Sequence, residues 1–425
     1  MRILIQVGFP AYLRMYGGTT RLLAERGHEV LLSYDRPDKR GDESALPDGV
    51  RVVEPLPESD RPRVERLRAA ADYLRYTDRR FAEAPYLRKR LEKYVDPRLT
   101  RLGYGSLLGR AGLRAALAAE HAVPADPERL RGLRELAPDV VVVSPLIGRG
   151  TRNRTQTDTV KAARKLGIPV GFAVASWDHL TTKGIVKARP DATFVWNELQ
   201  ARDAAELHRV PRSSVVVTGA QLFDPWFERG PATPEPAAPY VLYVGSSPNI
   251  APAEREIPFV RRWAEAVRAD GLDVLVRPHP YNVEAWAAVD DLAVAPRTQP
   301  QVPMTEADDA LYYDSIHHAA AVVGINTSAM VESFIQRKPV LTIRDDAFAE
   351  TQAGTLHFRE LQSAAGPALR TAGSLDEHVR QLRETLADPG IAEAADEFLR
   401  VFVRPHGLDV PATPLLADAI EGLVR

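Results

Sequence analysis

The sequence predicts an α/β protein built as two Rossmann-like domains facing a central cleft, and three observations carry that prediction. Short apolar, β-branched runs alternate with amphipathic stretches, the pattern of a parallel sheet covered on both faces. The alternation stops at the Pro/Ala-rich "RGPATPEPAAP" and then restarts, so a linker over residues 229–239 divides residues 1–228 from 240–425. A chain of 425 residues is too long for one ordinary core and suits two.

The elements follow in order. "RILIQV" is a strand ending at Gly8, "TTRLLAERG" a helix closed by a glycine, and "HEVLLSY" a second strand. Further on come the strand "PDVVVVSP", the helix "QTDTVKAARKLG", the strands "IPVGFAVAS" and "DATFVWN", the helix "ELQARDAAELHRV" and the strand "SSVVVTG". After the linker the strands are "YVLYVGSS", "LDVLVRPHP", "AAVVGINTS" and "PVLTIRD", separated by the helices "EIPFVRRWAEAVRADG" and "AMVESFIQRK". The last residues form C-terminal helices of the second domain. Residues 61–135 interrupt the first domain as a helical insertion; over 61–120 it holds 15 Lys/Arg against 7 Asp/Glu. Such an insertion reads first as a solvated basic face, and second as a contact for anionic lipid headgroups or a phosphorylated acceptor.

Composition narrows the function classes. With 45% hydrophobic and 26% charged residues and a net charge of −2, the chain is an average globular protein without bulk attraction to nucleic acid. It has no cysteine, which excludes disulfides, thiolate nucleophiles and Cys-ligated metals. No run reaches the ~18 apolar residues of a membrane-spanning helix, so a cytoplasmic location is expected, with peripheral contact to the inner face of the membrane allowed. His317 and His318 are neighbours in a helical pattern and point apart, so no metal site and no cofactor are expected.

Ligands of open α/β sheets bind beyond the carboxyl ends of the strands. In the second domain those ends carry "VGSSPN", "VRPHPYN" and "GINTSAMVES". Ser246, Ser247, Asn326, Thr327 and Ser328 offer hydroxyl, amide and backbone donors, with Glu332 one turn inside the following helix; ordinary helix capping is the bland reading of the last loop. Arg277 and His279 bring a guanidinium and a proline-flanked imidazole, which suit a diphosphate and its departure as a leaving group. In the first domain "VASWDHLTTKG" sets Trp177, Asp178, His179 and Lys183 after an apolar strand, as an aromatic plate, two candidate general bases and a cation for an acceptor. Ser144 opens a second loop there, "SPLIGRGTRNR", whose basic run suits a charged acceptor.

These loops resemble those of GT-B glycosyltransferases, and within them the CDP-glycerol glycerophosphotransferase-like group and its capsule-polysaccharide relatives. "RPHP" resembles that group's Arg-x-His-Pro motif, which implies that Arg277 and His279 engage a donor diphosphate. "GINTSAMVES" resembles its phosphate-binding strand-loop-helix, which implies the same for Asn326, Thr327 and Ser328. "SWDHLTTKG" is similar to a "WHGTxxK-G" segment whose histidine is the base, but Asp178 stands in place of the histidine and His179 in place of the glycine, so either can be the base. The resemblance implies a metal-independent transferase that moves a sugar from a nucleotide-diphosphate donor to a hydroxyl acceptor, lipid-linked acceptors included, in envelope polysaccharide or glycoconjugate synthesis. The alternatives are a polyol phosphate transferase, a nucleotide-sugar 2-epimerase, though no "HxEAGLRT"-like carboxylate cluster is present, and a catalytically inactive binding protein.

Overall fold

The structure is a computed structural model of the chain and describes residues 1–36, 46, 48–148, 154–236, 238–295 and 306–424. It divides into two compact units, one of Met1–Leu222 with Phe402–Arg425 and one of Phe223–Val401. Among the described residues no helix is long and apolar enough to cross a membrane.

In the first unit the strands are β1 (Arg2–Val7), β2 (Glu29–Tyr34), β3 (Val50–Val53), β4 (Val140–Ser144), β5 (Val170–Ala173), β6 (Ala192–Val195) and β7 (Val215–Val217). They form one sheet in the order β3-β2-β1-β4-β5-β6-β7, parallel throughout. Alternate residues of each strand enter different cores. Ile3, Ile5, Val30, Leu32, Val140 and Val142 pack on one side, and Leu4, Leu31, Val141 and Val143 on the other. Helices must therefore cover both faces, which is why the strands read as unbroken apolar runs. The helices are α1 (Leu13–Glu25), α2 (Pro62–Arg75), α3 (Tyr86–Lys89), α4 (Leu107–Ala122), α5 (Pro127–Leu136), α6 (Arg154–Leu166), α7 (His179–Thr182) and α8 (Glu198–His208).

The second unit holds α9 (Asp224–Glu228), β8 (Tyr240–Val244), α10 (Ala253–Ala269), β9 (Asp273–Arg277), α11 (Val283–Trp286), α12 (Glu306–His317), β10 (Ala319–Gly324), α13 (Ala329–Ile335), β11 (Val340–Ile343), α14 (Leu356–Ala365), β12 (Leu369–Ala372), α15 (Leu375–Leu386) and α16 (Ile391–Phe402). Its sheet is β12-β11-β10-β8-β9, again all parallel.

Two domain limits differ from the expectation. The linker residues do not stand apart: Asp314 of α12 accepts the backbone N–H groups of Ala232 (3.0 Å) and Thr233 (2.9 Å). Just before them, Trp226 packs on Tyr312 and Tyr313 at 5.3 Å each, so α9 belongs to the second unit. The chain end does the reverse. A last helix, α17 (Ala412–Glu421), returns to the first unit, where Leu416, Ala417 and Ile420 join the core around Ile3 and Val30. Arg26–Asp418 (2.7 Å) and His28–Glu421 (2.9 Å) fasten its rim. An amphipathic helix is legible in sequence, but which sheet it covers is not.

Most cations of the arginine-rich insertion are exposed, as its composition suggests, but several arginines are buried and bind the insertion to its surroundings. Arg68 is buried, with Nη1 and Nη2 on Asp158 at 2.7 and 2.8 Å and Nη2 on Glu120 at 2.9 Å, so one guanidinium joins α2, α4 and α6. Buried Arg75 donates to the backbone carbonyls of Leu180, Lys183 and Gly184, and buried Arg88 donates to Tyr73 Oη (2.6 Å) and the Thr100 carbonyl (2.9 Å). Lys187 meets Asp72 at 2.6 Å with both side chains buried.

An arginine between two buried carboxylates is shared by both, and its removal leaves each with one remaining cation, Arg61 on Asp158 (3.2 Å) and Lys161 on Glu120 (3.3 Å), and with unmade hydrogen bonds in a low-dielectric interior. Arg68→Met is expected to lower unfolding stability by about 3–5 kcal/mol. Chemical denaturation measures this, and a loss below about 1 kcal/mol would show the cluster to be solvated.

Candidate functional site

The second sheet places its site by topology. β8 lies between β10 and β9, so the chain reverses its direction of progress across the sheet between β8 and β10, and the loops leaving those two strands diverge above a crevice. Ser246 follows β8 and Asn326 follows β10, and the Asn326 N–H donates to Ser246 Oγ at 3.2 Å across that point. The β9 loop closes the third side. Gly245 has no room for a side chain: a Cβ there would stand 2.7 Å from the His279 backbone nitrogen. The glycine therefore lets the "VGSS" loop press directly on "RPHP".

A residue that sequence reasoning missed holds these loops together. Glu256, fully buried in the first turn of α10, accepts the Ser246 N–H at 2.8 Å and the Tyr243 hydroxyl at 3.3 Å. Asn282, at the end of the β9 loop, reaches Glu256 at 3.3 Å, the Ala251 carbonyl at 3.1 Å and the Ser246 carbonyl at 3.3 Å. Burial pushes the Glu256 carboxyl up to about 7, against the lowering effect of the hydrogen bonds from Ser246, Tyr243 and Asn282. The signal in sequence was an acidic residue on the apolar stripe of a helix, in register with Phe259, Val260 and Trp263.

The expected donor ligands separate into buried and open groups. Arg277 is buried, its guanidinium 4.7 Å over the Tyr312 ring and within 3.4–3.5 Å of the Asp308 and Leu311 carbonyls of α12. Glu332 is buried and receives the Tyr312 hydroxyl, so Arg277, Tyr312 and Glu332 form one internal chain. Asn326 is buried and spends its amide on the Thr351 carbonyl (2.6 Å) and His357 (3.1 Å). Ser246 and Thr327 are buried too. Ser247 and His279 are half-buried and Ser328 is exposed at the N-cap of α13, whose seven residues make about two turns. His279 Nδ1 accepts the Tyr281 N–H at 3.1 Å, which puts the proton of the neutral ring on Nε2. Tyr281 itself is 64% exposed, its ring centroid 5.4 Å from the imidazole.

In the first unit the expectations change more. His179 is buried, takes the Ala175 N–H on Nδ1 at 3.2 Å and is hydrogen-bonded to the backbone of Ile147. Burial pulls it down to about 3, and the neutral ring bridges two loops. Trp177 is no open plate either, being buried with its ring edge-on to Phe402 at 6.4 Å. Asp178 is half-buried; it accepts the hydroxyls of Ser176 (2.6 Å) and Thr182 (2.8 Å), with Lys183 Nζ at 3.7 Å. Ser144 is buried, its Oγ 2.7 Å from Tyr16 Oη. Most of the basic run that follows it, residues 149–153, lies outside the described residues.

A second missed residue stands beside Ser144. This sheet reverses direction between β1 and β4, and the half-buried Asp35 sits just past β2, next to that point. Gln6 donates to Asp35 Oδ1 at 2.6 Å, and Gln156 donates to Asp35 Oδ2 at 2.7 Å and to the Ser144 carbonyl at 2.9 Å. An acidic residue directly after the apolar run "EVLLSY" was the available signal.

By sequence the chain matches no family model and no curated protein. By structure it is similar to the UDP-GlcNAc 2-epimerase of Methanocaldococcus jannaschii, at 12% identity and a TM-score of 0.55, covering 99% of this chain and 100% of that one. A Neisseria meningitidis UDP-GlcNAc 2-epimerase solved bound to UDP-GlcNAc aligns at 11% identity and a TM-score of 0.51, over 99% and 100%. A glycosyltransferase of kitacinnamycin aligns at 15% identity and a TM-score of 0.54, over 100% and 99%. These likenesses establish the fold alone: two Rossmann-like domains of the GT-B type. They do not carry the narrower resemblance to the CDP-glycerol group.

A carboxyl raised in the folded state stabilises the protein below its unfolded value, and that contribution is lost as pH rises through the folded value, here about 7. Glu256→Gln, which cannot ionise, is expected to gain stability relative to the parent between pH 5 and 8, by up to about 3 kcal/mol. Denaturant titrations of both proteins across that range measure the difference; a constant gap would place Glu256 in solvent.

Proposed function

We propose that the chain is a nucleotide-diphosphate-sugar enzyme, and that it transfers the sugar to an acceptor hydroxyl. The observation that carries this reading is the meeting of three loops at the switch point of the second sheet, where His279 has its Nε2–H and Ser247 and Ser328 bring hydroxyls. Donors arranged there suit the diphosphate of the donor. The buried charge of Arg277 adds attraction from behind, as a fixed positive group in a low-dielectric setting.

In this reading the bond from the sugar's anomeric carbon to the diphosphate oxygen breaks and a bond to the acceptor oxygen forms. The nucleoside diphosphate leaves with the negative charge that His279 and its neighbours stabilise, such preorganised electrostatic help being a major part of most enzymatic rate enhancements. The acceptor proton passes to a carboxylate of the first unit. Of the two bases inferred from sequence, Asp178 and His179, this reading takes the half-buried Asp178, and Asp35, set beside its sheet's own switch point, is the second candidate. Lipid-linked acceptors remain within the reading. The 2-epimerase alternative differs in needing no acceptor: it would interconvert UDP-GlcNAc and its 2-epimer.

UDP is expected to bind the full chain in calorimetry, and His279→Ala to weaken it tenfold or more while the melting temperature without ligand is unchanged; equal affinity in both would overturn the donor site. Asp178→Asn or Asp35→Asn, at least one of them, should lower turnover by ~100-fold, the usual scale of general-base catalysis, with the UDP dissociation constant nearly unmoved. Parental turnover in both variants would exclude these bases, and formation of the 2-epimer from UDP-GlcNAc alone would replace the transferase reading.

A further inference from the structure

The first unit contains a cavity of about 100 Å³ between α2, α4 and the end of α8, and no residue of the second unit lines it. Five arginines do: Arg75, Arg80, Arg110, Arg114 and Arg209. Its two acidic residues, Asp78 and Glu206, are both engaged by Arg80, at 3.0 and 3.5 Å. The side chains of Arg110, Arg114 and Arg209 make no hydrogen bond or ion pair among the described residues. Arg75 contributes from the interior. Its terminal nitrogens are spent on backbone carbonyls of residues 180, 183 and 184, yet its Nε is buried with no hydrogen-bond partner.

Guanidinium groups crowded around a concave space repel one another, and a buried N–H without an acceptor is costly. The crowding is answered by a compact anion with several acceptor oxygens, which arginine forks bind in pairs. The volume is well under the roughly 300 Å³ at which pockets for whole small molecules begin, so the cavity suits one tetrahedral group and not a nucleotide. We infer that this cavity is a binding site for a phosphate group. The group could be borne by a soluble phosphate ester or by a lipid headgroup. The lipid source has a feature of its own in Leu107 and Leu108, 74% and 73% exposed at the start of α4, one and two turns before Arg110 and Arg114. The inference stands apart from the donor site, which lies in the other unit.

The experiment uses the full chain, inorganic phosphate as one probe, and vesicles of phosphatidylglycerol in phosphatidylcholine as the other. Two variants are needed: Arg110→Gln with Arg114→Gln, and Leu107→Gln with Leu108→Gln. All four side chains are outside the core, so unliganded melting temperatures should match the parent. Phosphate is expected to raise the melting temperature of the parent, and the arginine variant to bind it at least tenfold more weakly. Vesicle sedimentation then separates the sources. Loss of at least tenfold in vesicle binding for both variants assigns the site to a lipid headgroup, and phosphate binding without vesicle binding assigns it to a soluble ester. A parent that responds to neither probe, or an arginine variant that responds like the parent, overturns the inference.

Discussion

A carboxyl group withdrawn from water at Glu256 determines where the loops of the second sheet can meet. Parallel strands deliver their loops to one edge, but delivery alone leaves those loops free to splay. Glu256 takes the Ser246 N–H after β8 and faces the Asn282 amide after β9, while the Ser246 hydroxyl takes the Asn326 N–H after β10. One helix turn therefore fixes three segments that are up to 80 residues apart in sequence. Keeping a carboxyl inside at this cost in solvation is the kind of local compromise that proteins make where geometry matters more than stability.

The same logic recurs in the first unit with the charges exchanged. Arg68, Arg75 and Arg88 carry the insertion's packing as buried cations whose partners are carboxylates, backbone carbonyls and aromatic rings. Arg75 anchors α2 to the turn around α7, the same turn that holds Asp178 and His179. The "SWDHLTTKG" segment is thus a platform on which the insertion sits, with Asp178 left half-buried at its rim.

What the sequence made legible follows from what is local. Strands buried on both faces appear as apolar runs, and loops at their carboxyl ends announce themselves by glycines and hydroxyls, so both sheets and the three loops of the candidate site could be read. β3 and β12 could not, because each is four residues long and only partly buried, with an arginine interrupting any apolar run. Side-chain direction was equally hidden. Arg277 and His279 are two residues apart, yet one turns inward over Tyr312 and the other stays near the surface. The burial of His179 against Ile147 has no local signal, and Arg75 reads as solvated until carbonyls 105 or more residues away enclose it. Asp35 and Glu256 carried signals, a carboxylate after a strand and a charge on an apolar stripe, that acquire meaning only with their partners in place.

The central claim is that a nucleoside diphosphate is held by the loops at the carboxyl edge of the second sheet. Amide hydrogen exchange on the full chain, with and without saturating UDP, tests it most directly, since exchange reports local opening segment by segment. The account requires added protection in residues 245–252, 278–282 and 324–328. Protection that leaves these three segments unchanged and appears elsewhere would contradict it.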